Sequence, residues 1–181
     1  MFEKKKLRLR KVTKKDLKLI RDWRNSSSIR SFNTQFVLLN LNYQNLWFNE
    51  ISEKNTQRIM FMIELNGMPI GICGLIHLDK TNKHAEVAII IGETELHGKG
   101  FGTFALSSLI DYGFKKLNLH RISAEIFEYN TNSIKLFKKL NFKYELTFYD
   151  RLWRKGKWWN VYQYSLLKNE YVPKTNYNLL N

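Results

Sequence analysis

The chain has 181 residues, enough for one domain of ordinary size and short for two. A composition of 44% hydrophobic and 14% aromatic residues supports a substantial core and excludes wholesale disorder. Thirty Lys and Arg against 16 Asp and Glu give a net charge of +14, which attracts anionic partners. The same charge is also compatible with a solvated basic surface, so it does not by itself identify a partner.

The sequence lacks the features that several classes of protein need. The single cysteine, Cys73, excludes an internal disulfide, and its apolar strand sequence indicates a buried side chain rather than a nucleophile. No apolar run approaches the roughly 18 residues of a membrane span, and the basic N-terminus lacks the apolar region of a secretory signal. The four histidines show no metal-ligand spacing. We therefore expect a cytoplasmic protein with no membrane contact and no metal.

Helical and strand periodicities alternate along the chain. Thr13 and Asn130 each have the residue type of a helix N-cap. Leu46, Trp47 and Ile51 are expected to share the apolar face of the second helix. In chain order, the predicted elements are a strand at 6–12, helices at 14–25 and near 43–53, strands at 58–65, 70–78 and 84–91, a helix from about 100 to 117, a strand at 120–127, a helix at 130–142 and a closing hairpin of strands 143–153 and 158–167.

The order β-α-α-β-β-β-α-β-α-β-β predicts an α/β (α+β) fold, with one mixed sheet and helices on its faces. No repeat, linker or shift in composition marks a domain boundary. We therefore expect one domain over residues 1–168. Residues 169–181 are polar, contain Pro173 and are expected to form a loosely ordered tail.

The stretch LHGKGFGTFAL, residues 96–106, places three glycines at alternate positions before a predicted helix. The spacing fits neither the Walker loop nor the dinucleotide-binding fingerprint. A helix N-terminus that follows a strand and a glycine-rich loop nevertheless offers unpaired amides and a positive dipole end to a phosphate. The alternative is a glycine-rich loop that only packs into a tight turn.

Two motifs resemble the GNAT superfamily of acyl-CoA-dependent N-acetyltransferases. ELHGKG, residues 95–100, occupies the place of the family's pyrophosphate loop, Q/R-x-x-G-x-G/A, between the fourth strand and the third helix. EYNTNSIKLFKKLNF resembles the segment in which an Asn follows the fifth strand and a helix runs toward a KLGF-like end. The predicted element order also matches the family fold, so the resemblance covers residues 7–167.

The resemblance implies acetyl-CoA as co-substrate, bound where the fourth and fifth strands splay apart. The backbone of Ile89, Ile90 and Ile91 would then contact the pantetheine arm, and Asn130 and Ser133 would hold it, although both also suit plain helix capping. Phe137 falls where many members carry a tyrosine that protonates the departing thiolate; that step would then fall to water or Tyr129, or be dispensable. Glu95 and His97 also depart from the usual loop residues. The residues expected around the diphosphate are His97, Gly98, Lys99, Gly100, Phe101, Gly102 and Thr103.

Glu86, inside the apolar strand HAEVAIII, is the candidate general base. A primary amine is almost wholly protonated at neutral pH, and burial would raise the pKa of a glutamate toward the range that a base needs. The alternative is that Glu86 pairs with a basic neighbour on the sheet. His84, on the same face, or Glu125, on the next strand, could take its place.

The sequence RDWRNSSSIRSF resembles the W-R-N segment of the Rim-type branch, which acetylates ribosomal proteins, and of enzymes that act on nucleotide-linked amino sugars. It also occurs in polyamine and aminoglycoside acetyltransferases, so it is not diagnostic. Acceptor contacts would come from Trp23, Arg24, Asn25 and Arg30; the alternative is a polar helix end that contacts loops.

The net charge of +14 favours an anionic acceptor, a nucleotide-linked amino sugar, or a protein N-terminus. A polyamine or aminoglycoside is the alternative, and it would need a local acidic pocket. A second alternative is a non-catalytic, basic RNA- or ribosome-binding module on the same scaffold. Other nucleic-acid contact is not expected, and the chain is expected to be a monomer or a homodimer.

Overall fold

The computed structural model describes residues 7–33, 36–53 and 56–173. The strands are β1 (Leu7–Lys11), β2 (Ile59–Leu65), β3 (Met68–Asp79), β4 (His84–Ile91), β5 (Arg121–Phe127), β6 (Lys143–Arg154) and β7 (Lys157–Leu167). The helices are α1 (Leu17–Asn25), α2 (Ser27–Arg30), α3 (Leu41–Ser52), α4 (Phe101–Lys115) and α5 (Thr131–Lys139).

The strands form one seven-stranded sheet in the order β1-β2-β3-β4-β5-β7-β6. Neighbours are antiparallel except β4 and β5, which run parallel and are connected through α4, because parallel strands need a crossover. The predicted mixed α/β architecture is confirmed. The short helix α2 is an addition, since NSSS was expected only to end the first helix; its buried Ile29 packs into the same cluster as α1.

Helices cover both faces of the sheet, as the residues of β4 show. Ala85 and Val87 point into the large cluster beneath α4 and α5. Ile90 packs on the opposite face against Ile20 and Trp23 of α1. Because burying one aliphatic side chain contributes about 1.5–3 kcal/mol, both faces stabilise the central strand.

The apolar face of α3 differs from the prediction. Trp47 and Ile51 pack against the α1 cluster, but Leu46 is 69% exposed and Gln44 is fully buried. Residues 44, 47, 48 and 51 have the i, i+3, i+4, i+7 spacing of one helix face, and Leu46 lies outside it. Because Gln44 is polar, a search for apolar residues alone does not identify this face.

Charged side chains join the start of the chain to the sheet. Thr13 and Asp16 form a capping box at a 3-10 turn that precedes α1, which confirms Thr13 as an N-cap. Arg10 donates to both carboxylate oxygens of Asp16, at 2.8 Å each. Glu64 of β2 is 3% exposed and accepts from Nε of both Arg8 and Arg10, at 2.5 Å each. The network therefore holds β1, β2 and the capping turn together.

Residues 168–173 follow the last strand, close to the predicted domain boundary. A 3-10 turn spans Lys168–Glu170, and the Tyr171 ring lies 5.1 Å from the ring of Phe114. The Tyr171 hydroxyl donates to Asp111 Oδ1 at 3.2 Å. Tyr171 thus contacts α4, and residues 174–181 of the predicted tail lie outside the described part of the chain.

Candidate active site

A cleft opens between β4 and β5. The two strands pair only where His84–Glu86 faces Arg121–Ser123, although β4 continues to Ile91 and β5 to Phe127. Paired strands normally stay about 4.8 Å apart. The loss of pairing after Glu86 therefore confirms the predicted splay and leaves one edge of β4 without a strand beside it.

Alternate peptide groups of β4 face this cleft. The Gly92 amide donates to Ile70 O at 2.8 Å, which turns the peptide groups of residues 90 and 92 toward β3. Those of Ile89 and Ile91 point the other way, and Ile91 O lies 2.8 Å from His97 Nε2. Ile90 does not fit the predicted backbone contact, because its peptide groups face β3 and its side chain packs on the α1 face.

The glycine stretch forms the loop from β4 to α4. Gly98 and Gly100 have φ angles of +75° and +88°, a region that residues with a side chain rarely adopt. Leaving out the chain neighbours of each glycine, no atom of the described ranges lies within 4 Å of the Cβ position at either one. Gly100 is the N-cap of α4, so the helix begins where the sequence predicted it. Among the described residues, the amides of Gly102 and Thr103 meet no backbone acceptor, so the first turn can receive an anion.

The remaining residues of the stretch have different roles. Lys99 is exposed beside the loop. Gly102 lies inside the first turn of α4, and a Cβ there would meet Leu136 at 3.5 Å and Ile89 at 3.8 Å, which are ordinary contacts. Gly102 is therefore not required by the backbone, in contrast to Gly98 and Gly100; it leaves space between α4 and the cleft.

Glu86 lies where β4 and β5 separate, on the sheet face covered by α1 and α3. Its side chain is 22% exposed, and Oε2 lies 3.0 Å from His77 Nδ1. Burial raises the pKa of Glu86; the contact with His77 opposes that shift, and the nearby negative charge of Glu125 adds to it. A carboxyl group with a raised pKa is suited to take up and release a proton near neutral pH.

The two predicted substitutes for Glu86 occupy the same face. Glu125 is exposed and lies 3.7 Å from the guanidinium of Arg151 on β6. His84 has no hydrogen bond with Glu86 among the contacts of the described residues and borders an open pocket beside His77. Glu86 is therefore the most enclosed acid at the head of the cleft.

The predicted residues of α5 pack as a helix end and a core. Asn130 caps α5, with its Oδ1 accepting from the Ser133 amide at 3.2 Å. Phe137 is 4% exposed and stacks edge-on with Phe142 at 5.0 Å. Tyr129, at the end of β5, donates its hydroxyl to Ser31 O at 2.6 Å. The thiolate-protonating tyrosine of the family has no counterpart at position 137.

Residues near the end of α1 organise the loops beside the site. Asn25 Nδ2 donates to Leu39 O, and Leu39 N donates to Asn25 Oδ1, both at 2.8 Å. The Arg30 guanidinium lies 5.6 Å from the centre of the Phe36 ring. Arg24 is half-buried, and burial lowers its pKa. These contacts match the alternative interpretation of the segment, a polar helix end that holds loops.

Gly92 and Glu93 are site residues that sequence reasoning missed. Trp23 is 6% exposed and donates through Nε1 to Glu93 Oε1 at 3.0 Å. A Cβ at Gly92 would stand 2.1 Å from Cδ2 of Trp23. The Trp23 indole therefore fixes the end of β4 against α1. A glycine directly after an apolar strand was the available signal, because it often marks close approach.

Other kinds of site receive no support within the described residues. No group of three or more His, Cys, Asp and Glu side chains there could hold a metal ion. No helix of that part of the chain is both long and apolar enough to cross a bilayer. Cys73 is fully buried, and burial raises the pKa of its thiol, which makes it a packing residue.

Known proteins are similar to this chain in sequence. A family model described as "Acetyltransferase (GNAT) domain" matches residues 6–143. The "Uncharacterized N-acetyltransferase p20" of Bacillus licheniformis is 40% identical over 125 residues, which cover 68% of this chain and 70% of that protein. The spermidine N(1)-acetyltransferase of Escherichia coli K12 is 26% identical over 173 residues, 93% and 89% of the two chains.

A solved structure extends the likeness to three dimensions. The spermidine N-acetyltransferase from Vibrio cholerae, in complex with CoA and spermine, superposes with a TM-score of 0.84 at 26% identity. The superposition covers 91% of this chain and 97% of that one.

Proposed function

This chain belongs to the GNAT acetyltransferase family and is an acetyl-CoA-dependent N-acetyltransferase, and from that premise we propose that its acceptor is a polyamine. The observation that carries the proposal is the pair of carboxylates, Glu86 and Glu125, at the head of the cleft. The likeness to two spermidine acetyltransferases supports it. Membership of a catalytic family argues against the non-catalytic RNA-binding alternative.

The local charge favours a cation in spite of the net charge of +14. At physiological salt the Debye length is about 8 Å, so distant surface lysines are largely screened. A carboxylate about 4 Å from an ammonium group attracts it by roughly 4 kcal/mol at the effective dielectric near a protein surface. Arg151 competes for Glu125, but an exposed pair contributes only about 0–1 kcal/mol and can be displaced.

For the coenzyme, we assign the diphosphate to the loop and first turn of α4. Gly98 and Gly100 leave the backbone open, and the amides of Gly102 and Thr103 have no backbone acceptor in the part of the chain that the structure describes. The peptide groups of Ile89 and Ile91 offer pairing partners to an extended pantetheine arm, as an added strand would need. The fit is geometric and uses backbone atoms, so the unusual Glu95 does not oppose it. His97 Nε2 already contacts Ile91 O, and the second lone pair of that carbonyl remains for the arm.

Glu86 is assigned as the base. A primary ammonium gives one N–H proton to the Glu86 carboxylate, and the freed lone pair then attacks the thioester carbon. As the carbon–sulfur bond breaks, the nitrogen loses its second proton to solvent and the thiolate takes up one proton. The products are therefore the acetamide, the CoA thiol and, by way of Glu86, one proton released to solvent. Phe137 has no proton to give, but a thiol with a pKa of about 8.5 is a tolerable leaving group, so we assign its protonation to water.

The acceptor is tested by measuring release of the CoA thiol with a panel of amines. The panel contains spermidine, spermine, an aminoglycoside, a peptide with a free N-terminus and a nucleotide-linked amino sugar. We expect kcat/KM for the polyamines to exceed the others by about tenfold or more, as an acidic pocket requires. A higher value for the peptide, the acceptor of the Rim-type branch, or for the amino sugar would overturn the polyamine assignment and leave the reaction class intact.

Substitution of Glu86 tests the base. Glu86→Gln should lower kcat by about 10²–10⁴-fold and remove the acid limb of the pH–rate profile, with acetyl-CoA affinity unchanged. Glu125→Gln is the matched control: it removes a like charge, so the acid limb should persist and move to lower pH, while KM for the polyamine rises. An unchanged pH profile in Glu86→Gln would exclude Glu86 as base.

A further inference from the structure

A bulge in β3 places His77 beside Glu86. The register runs regularly to Ile76 opposite Glu86 and then shifts, so that Asp79 faces His84. His77 has a φ of +50°, in the left-handed region that non-glycine residues occupy at a cost of roughly 1–2 kcal/mol. Because of the extra residue, Leu78 reaches the core and His77 reaches the face of Glu86.

His77 connects an enclosed acid with solvent. Its Nδ1 lies 3.0 Å from Glu86 Oε2, yet the His77 side chain is 63% exposed while that of Glu86 is 22% exposed. The imidazole also lines an open pocket on the outer side. The pocket is bordered further by Thr56, Gln57, Leu78, Asp79, Lys80, Thr81 and His84.

We propose that His77 is the proton exit of the enzyme, carrying to solvent the proton that Glu86 takes from the acceptor amine. The proposal rests on the proposed role of Glu86. Each turnover must release one proton, and Glu86 must be ionised again before the next ammonium arrives. The Glu86 O–H bond breaks as an Nδ1–H bond forms on His77, and the resulting imidazolium loses its Nε2 proton to water in the pocket. Tautomeric exchange with solvent restores the acceptor at Nδ1.

The charges around the pair act on both steps of the transfer. Glu125 faces Glu86 from β5 and favours proton uptake by Glu86, because it disfavours two neighbouring negative charges; Arg151 of β6 offsets part of that effect, and the contact with His77 favours release of the proton. On the outer side of the pocket, Asp79, Lys80 and His84 border His77. Because His77 acts through Glu86 and touches no substrate, it is a positioning residue rather than a catalytic one.

His77→Asn tests the relay. Asparagine tolerates the left-handed backbone and keeps an amide that can donate to Glu86, but it cannot carry a proton at neutral pH. We expect kcat in dilute buffer to fall by about tenfold with KM for acetyl-CoA unchanged, and added imidazole to restore most of the rate. His120→Asn, at an exposed histidine outside the pocket, is the control and should keep the wild-type rate with no response to imidazole.

Two results would overturn the relay. One is a wild-type kcat for His77→Asn in dilute buffer; the other is a loss of rate that imidazole does not restore, which would indicate a purely structural role. The assay uses whichever amine the panel shows to be acetylated, so a wrong acceptor does not affect it.

A readout without turnover separates the relay from the proposed function. The ¹⁵N signal of His77 Nδ1 should shift in Glu86→Gln, because the hydrogen-bond partner changes. An unchanged signal would overturn the relay even if the enzyme acetylates polyamines. A shifted signal, together with full activity of Glu86→Gln, would overturn the base assignment and the relay while leaving the contact in place.

Discussion

At the scale of single residues, the end of β4 is constrained by packing rather than by backbone conformation. Gly92 does not need the left-handed region; it needs to be without a Cβ, because the Trp23 ring occupies that space. The same indole donates to Glu93, so one side chain fixes the strand end by contact and by a hydrogen bond. The position of Ile91 and its cleft-facing carbonyl depends on this arrangement.

Gly92→Ala should therefore lower the free energy of unfolding by about 1–3 kcal/mol, the usual effect of overpacking. Urea denaturation measures the change. Trp23→Leu makes room for the added methyl, so the double variant should lose less stability than the sum of the two single variants. Strict additivity, or a Gly92→Ala variant as stable as the wild type, would contradict the packing argument.

At the scale of elements, the loop before α4 contains glycines of two kinds. Gly98 and Gly100 are needed for their positive φ, whereas Gly102 tolerates a Cβ at ordinary contact distances. The divergence of β4 from β5 complements the loop, because it leaves the edge of β4 and the N-terminus of α4 on the same cleft. A phosphate site built from amides depends on the conformation of the backbone more than on side-chain identity.

If this loop holds the diphosphate, Gly100→Ala should weaken acetyl-CoA binding by about tenfold, since an alanine in the left-handed region is strained by roughly 1–2 kcal/mol. Isothermal titration calorimetry measures the affinity. Gly156→Ala is the control: it has a φ of +75° in the β6–β7 turn and should lose similar stability with unchanged coenzyme affinity. Equal affinities in all three proteins would place the diphosphate elsewhere.

At the scale of the whole molecule, the stability of a chain with a net charge of +14 depends on where its few acidic residues are placed. Burial by itself would raise the pKa of Asp16 and of Glu64, but hydrogen bonds from Arg10, from Thr13 to Asp16 and from Arg8 to Glu64 outweigh it and lower both. Folded-state pKa values below the ordinary ones stabilise the protein above about pH 4, and that stabilisation is lost as pH falls further.

Arg10→Met should remove about 3 kcal/mol of unfolding free energy at pH 7, because it leaves two buried carboxylates short of a partner. The difference from the wild type should shrink toward pH 3, where both carboxyls become protonated. Lys115→Met breaks an i, i+4 pair in which the Lys115 side chain is 55% exposed, while Asp111 keeps its hydrogen bond from Tyr171, and should change stability by less than about 0.5 kcal/mol. A difference that stays constant between pH 7 and pH 3 would exclude the electrostatic origin.

The amino-acid sequence by itself determined the features that depend on short-range physics. The element order, the caps at Thr13 and Asn130 and the glycine loop before α4 follow from periodicity and from conformational preferences of neighbouring residues. Two motifs in that order were enough to recognise the family. Glu86 stood out as an acid in an apolar strand, so its burial was predictable as well.

Only the tertiary structure decided which groups face one another across long stretches of chain. The fit of Trp23 over Gly92 and the burial of Glu64 each join segments that are far apart in sequence, and the bulge that brings His77 to Glu86 depends on the register of β3 against β4. The tertiary structure also decided the hydrogen bonding of Ile90, because its peptide groups pair with β3. Strand register and close packing depend on many contacts between residues that are distant in sequence, and local residue patterns do not predict those contacts.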